Sequence, residues 1–147
     1  MEKRVIGRFD KADFPLLDLE EIAIKIDTGA YTSSIHCYDI VEEDGVLHCT
    51  FLDEEHPLYN GKVFTFNDYD IVFVKSSNGI QQKRYQVQST IKIFKKVFKI
   101  SLSLSARQEM KYPVLIGRKF LSKKFIVDPE LTDVSFNLNS NEHKNSF

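Results

Sequence analysis

Ile22-Ala23-Ile24-Lys25-Ile26-Asp27-Thr28-Gly29-Ala30-Tyr31-Thr32-Ser33-Ser34-Ile35-His36 is the stretch on which the fold turns. Its three isoleucines at 22, 24 and 26 recur with the period of two that puts apolar side chains on one side of an extended chain. Residues 22–26 are therefore predicted to be a strand that delivers the backbone straight into Asp27. Asp-Thr-Gly then reads first as a turn, with Asp27 bonding its own backbone and Gly29 supplying a left-handed conformation. A chance Asp-Thr-Gly is expected roughly 0.03 times in a chain of this length, and here the triplet stands once, at the end of an apolar strand.

Working outward, Asp44-Gly45 separates two strand-like runs, 35–42 and 46–52, and is a hairpin turn signal. Asn78-Gly79 does the same between 71–75 and 83–88. A third hairpin joins Tyr85, Val87, Ser89, Ile91 and Ile93 to Phe98, Ile100, Leu102 and Leu104, turning near Lys95-Lys96. Val114-Leu115-Ile116-Gly117 is an apolar strand ending in glycine, and Arg118 to Ser122 fits a turn and a half of helix. Residues 125–128 form a last strand stopped by Pro129. No internal repeat or linker interrupts the series.

Composition agrees. Val, Ile, Thr, Tyr and Phe together supply 48 of the 147 residues, while Ala, the best helix former, appears four times. The length suits one domain with a real core, so an all-β domain is expected. A formal charge of −1 provides no global pull toward nucleic acid or an anionic membrane, and neither is expected as a partner. No signal-like or membrane-spanning apolar run is present, which predicts a cytoplasmic protein, and the two cysteines, Cys37 and Cys49, are expected to be free thiols. Residues 137–147 carry too few apolar groups to offset the entropy of ordering them and are expected to be a disordered polar tail.

The strand, Asp-Thr-Gly-Ala, and the distant Leu115-Ile116-Gly117-Arg118 before a short helix together resemble the retropepsin-like aspartic proteases. The sequence is most similar to the bacterial family historically labelled ATP-dependent zinc proteases. That similarity is carried by Lys25 to His36, by Arg84-Tyr85-Gln86-Val87, by Leu115 to Arg118 with Leu121, and by Val127-Asp128-Pro129. It implies a closed barrel of the retropepsin type with one short C-terminal helix over residues 1–136. It also implies Asp27 as the catalytic carboxylate, Thr28, Gly29 and Ala30 as supporting loop, and Gly117 and Arg118 as structural partners of that loop. Family members usually carry Arg after the Ala and retroviral relatives Asp, whereas this chain has Tyr31, so Arg118 must find another partner.

The chemistry follows from a count. Aspartic proteolysis needs two carboxylates sharing a proton, because like charges a few ångströms apart cannot both ionise. One Asp-Thr-Gly per chain therefore predicts a homodimer. Ala30, where many acid proteases have Ser, removes a hydroxyl donor to the carboxylates, which predicts activity nearer neutral pH. The hairpin around residues 75–85, with Ser76, Ser77, Asn78 and Gly79 at its tip, is the candidate flap. His36, Cys37, His48, Cys49 and His56 include zinc-type ligands, but strand neighbours point to opposite faces and no His-Glu-x-x-His or paired Cys-x-x-Cys is present. No metal site and no cofactor are expected. Lys83, Arg84, Lys92, Lys95, Lys96 and Lys99 make the middle of the chain basic, either as a solvated edge or, since relatives of this family often accompany ligases that append glutamate, as a rim for an acidic peptide. Three readings stay open: an aspartic peptidase acting on peptide or isopeptide-like bonds, a peptide-binding module with the same fold, and a zinc-binding peptidase using His36, His48 and Cys49.

Overall fold

A computed structural model describes residues 2–75, 78–106 and 112–145. The strands are β1 (Arg4–Ile6), β2 (Phe9–Phe14), β3 (Leu19–Ile26), β4 (Ser33–Glu43), β5 (Val46–Phe51), β6 (Phe64–Phe66), β7 (Asp70–Lys75), β8 (Gln81–Ile93), β9 (Lys96–Ser105), β10 (Val114–Ile116) and β11 (Phe125–Val127). Among the described residues a single 3-10 turn at Pro15–Leu17 and two α-helices, α1 (Arg118–Leu121) and α2 (Val134–Asn145), complete the series. The three expected hairpins are present as β4–β5, β7–β8 and β8–β9.

Ladder pairings run β10-β3-β2-β8-β9-β4, and β4 pairs back to β10, which closes the sheet into a barrel. Closure removes the exposed edges that an open sheet would present. Short β10 is the closing stave: it lies parallel to β3, with Ile116 opposite Ile26, and antiparallel to β4, with Val114 opposite Ile35. The alternation read from Ile22, Ile24 and Ile26 turns all three inward, where they join Ile35, Val87, Ile91, Leu102, Leu104, Val114 and Ile116 in the core. Burial of such aliphatic side chains stabilises the fold by about 1.5–3 kcal/mol each. Among the described residues, no helix is long and apolar enough to cross a membrane.

The β8–β9 turn falls one residue earlier than expected, at Phe94 and Lys95, both left-handed with φ of 51° and 63°. This matches the two-residue turn that follows strand twist, but Phe94 has the wrong side chain for it. Its conformation is held from outside: its N–H donates to Ser135 Oγ at 2.8 Å, its ring packs 5.8 Å from Phe125, and the Arg4 guanidinium covers it at 4.4 Å.

α2 runs from Val134 to Asn145, over much of the segment whose composition reads as a polar tail. Its start is tied down by a residue far away in sequence. Asp10 on β2 is 2% exposed and accepts hydrogen bonds from the N–H groups of Ser135 at 2.9 Å and Phe136 at 3.1 Å. It thus serves the otherwise orphaned donors of the first helical turn. Lys11 covers the Phe136 ring at 4.3 Å. Removal of this cap by Asp10→Ala is expected to lower stability by about 1–3 kcal/mol, measured by denaturant unfolding, and to loosen α2 in hydrogen exchange. Burial raises the Asp10 pKa above its ordinary 3.8, against the lowering effect of its backbone hydrogen bonds. The folded chain then holds this proton more tightly than the unfolded one, so Asp10's contribution to stability is fullest below the ordinary carboxylate range and declines as pH rises through the raised folded value. Asp10→Asn should flatten that segment of the stability–pH curve.

Candidate active site

β3 ends at Ile26, and the loop that follows is fastened on two sides. Asp27 N donates to Ile116 O at 2.8 Å, which plants the loop at the end of β10. Within it, Gly29 N donates to Asp27 Oδ1 at 3.1 Å and Ala30 N to Asp27 O at 3.2 Å. The Asp27 side-chain turn of the plainest reading therefore exists and orients the carboxylate, but Gly29 does not take the left-handed conformation expected of it, since among the described glycines a positive φ is found at Gly45, Gly61 and Gly79. Asp27 is half-buried while Thr28 and Gly29 are exposed.

The second fastening comes from Gly117 and the start of α1. Arg118 N donates to Ala30 O at 2.8 Å and Lys119 N to Tyr31 O at 2.9 Å. Gly117 N donates to the buried Ser33 Oγ at 3.0 Å. A methyl group at Gly117 would sit 2.6 Å from Tyr31 O and 2.7 Å from Thr32 O, so the close approach of the two segments needs glycine there. The partner that Arg118 lacks in the sequence is supplied by backbone and ring: its Nη1 donates to Thr28 O at 2.9 Å, and its guanidinium lies 5.8 Å from the centre of the Tyr31 ring, within cation–π range. Tyr31 thus meets Arg118 through its ring rather than through a charge. Ser33 escaped the sequence reading; it stands in the polar run Thr32-Ser33-Ser34, which gives no sign of the glycine it meets.

Facing the loop is the β7–β8 hairpin. A cleft of about 530 Å³ is lined on one side by Ala30, Thr32, Ser34 and Leu115 and on the other by Val74, Lys75, Asn78, Ile80, Gln82 and Arg84. Asn78 and Gly79 lie at the hairpin end, with Gly79 left-handed at φ 79°; Ser76 and Ser77 lie outside the described residues. Phe73 and Ile80 are each about two-thirds exposed on this hairpin. At its base, the hydroxyls of Tyr69 and Tyr85 both donate to the Glu42 carboxylate of β4, the latter at 3.3 Å. The Glu42 contact raises the Tyr69 pKa to about 12.

The zinc-type side chains are dispersed. Cys49 lies in the core next to Cys37, whose thiol is raised well above its ordinary pKa by burial and then by Cys49. His48 Nδ1 bonds Thr65 Oγ1 at 3.1 Å. His36 is buried with Nε2 3.6 Å from Asp53 Oδ2, and nearby His56 has its pKa lowered by burial, with Asp53 opposing. Among the described residues no three His, Cys, Asp or Glu side chains are grouped as metal ligands.

Residues 5–137 match the RimB-like family, described as the retropepsin-like aspartic endopeptidase RimB. A protein from Shewanella pealeana named a probable alpha-L-glutamate ligase is 35% identical over 133 residues, which cover 86% of this chain and 29% of that protein. A Desulfotalea psychrophila protein of the same name is 33% identical over 135 residues, covering 88% of this chain and 29% of its own length. The chain thus spans less than a third of these relatives. A solved structure from Legionella pneumophila, of a protein of unknown function, superposes with a TM-score of 0.66 at 29% identity, covering 91% of this chain and 99% of that one. With an Asp-Thr-Gly loop locked against Gly-Arg at the mouth of a closed barrel, and a family match over nearly its whole length, this chain belongs to the RimB-like family of retropepsin-like aspartic endopeptidases.

Proposed function

We propose that the protein is a homodimeric aspartic peptidase in which Asp27 of each chain contributes one carboxylate to a shared site, and that its substrates are acidic peptides joined by peptide or isopeptide-like bonds. The observation that carries this reading is the placement of the Asp27 loop, fixed by Ile116, Gly117 and Arg118, beside a cleft covered by the β7–β8 hairpin. One ionised Asp27 takes a proton from water as the oxygen attacks the carbonyl carbon; the other, protonated, gives its proton to the carbonyl oxygen. Collapse of the tetrahedral intermediate expels the amine, which takes up a proton.

The preference for acidic chains is supported by the cleft, whose lining among the described residues includes Lys75 and Arg84 and no carboxylate. It is supported also by the relatives named for glutamate ligation, in which a segment like this chain occupies part of a longer protein. The middle basic run contributes unequally: Arg84 lines the cleft, while Lys92 and Lys96 lie at the other end of β8 and the start of β9. Sedimentation should show two chains per particle, and glutamate-rich peptides should be cleaved with at least about tenfold higher kcat/KM than neutral ones of the same length. A strict monomer that binds such peptides without cutting them would favour a binding module instead.

A further inference from the structure

Behind the active-site loop lies a second, smaller pocket of about 120 Å³, lined by Thr32, Ser33, Gln88, Lys99, Ile100, Ser101, Lys119, Phe120 and Lys124. Three lysines from two separate segments, β9 and the α1 region, meet around one depression. None forms an ion pair with a carboxylate among the described residues. Lys124 is held in place, its Nζ donating to Phe120 O at 3.0 Å and lying 4.9 Å from the centre of the Phe120 ring. Ser101 Oγ donates to Gln88 Oε1 at 2.8 Å, which fixes a polar floor on the sheet. Like charges gathered without a counter-charge repel one another, and an anion relieves that repulsion.

We infer that this pocket is an oxyanion subsite that receives a carboxylate of an acidic peptide. Its size suits one carboxylate or phosphate and excludes a chain. Thr32 is a wall common to this pocket and to the cleft, so an acidic peptide lying beside Asp27 has an anion site directly across that residue. Lys119 links the two physically, since its backbone N–H holds Tyr31 O. The choice of a peptide carboxylate as occupant rests on the proposed function, but the existence of the anion site does not.

The test is binding of fluorescently labelled hexaglutamate and hexaglutamine to an Asp27→Asn protein, where no cleavage intervenes. Hexaglutamate should bind in a salt-sensitive manner and hexaglutamine should not. Lys99→Gln with Lys119→Gln, both exposed positions, should weaken hexaglutamate binding by roughly tenfold. Lys92→Gln with Lys96→Gln removes the same charge from the β8–β9 hairpin that carries Lys99 and should change it by less than about twofold. Competition by inorganic phosphate at constant ionic strength would mark a site for oxyanions at large, and its absence a site selective for carboxylate; either supports the subsite. Equal weakening by the two double variants, or none by the first, overturns it. Failure to cleave any peptide would sink the peptidase reading while leaving this result intact.

Discussion

Asp27→Asn is expected to abolish peptide cleavage, lowering kcat/KM by roughly a thousandfold or more, while leaving the fold and its thermal midpoint nearly unchanged. The side chains are isosteric, and the Gly29 N–H bond to Oδ1 survives in the amide. What is lost is the ability to take a proton from water or to share one with a second carboxylate. Cleavage of an acidic peptide measured over a wide pH range, with the variant checked by circular dichroism, reads out both halves. Equal cleavage by variant and wild type would remove Asp27 from the chemistry altogether.

Gly117→Ala should have the second-largest effect, and it acts without touching the reacting groups. Its Cβ would stand 2.6 Å from Tyr31 O and 2.7 Å from Thr32 O, both backbone atoms that a rotamer change cannot move aside. Tyr31 O is also the acceptor for Lys119 N, so relief of the clash costs a loop fastening. A loss of stability of about 1–3 kcal/mol is expected from overpacking of this kind. Activity should fall by about a hundredfold, because a displacement of about an ångström at a catalytic loop is enough for that. Thermal unfolding and kcat/KM for the same preparation separate the two effects. Wild-type activity in Gly117→Ala would mean that the junction of loop and α1 does not position Asp27.

The parts of this structure that were legible in the sequence are those governed by neighbours along the chain. Ile22, Ile24 and Ile26 announce a strand by alternation, and Asp44-Gly45 and Asn78-Gly79 announce turns by the conformations they tolerate. The Asp27 loop and the Gly117-Arg118 junction were visible as motifs. Features set by distant partners were not. β2 carries Asp10 at an inward position, which spoils its apolar pattern, because that carboxylate caps a helix whose first turn is 125 residues away. α2 itself has few apolar residues, and its first turn is located by that cap rather than by a pattern along the chain. Ser33 meets Gly117 only because the barrel closes through β10. Arg118 finds a carbonyl and an aromatic ring where a charge was sought. The three lysines of the small pocket are scattered in sequence from 99 to 124 and gather only when α1 packs beside β9.

The central claim, that one active site is made by two chains, has a direct measurement: titration of wild-type protein with Asp27→Asn protein after subunit exchange, at fixed wild-type concentration. Random pairing puts half of the wild-type chains into mixed dimers at equal amounts, and a mixed dimer holds one carboxylate. Cleavage activity is predicted to fall to about half at equal mixing and to continue toward zero as the variant is added in excess. Activity that stays constant throughout the titration would show that each chain works alone and would contradict the shared site.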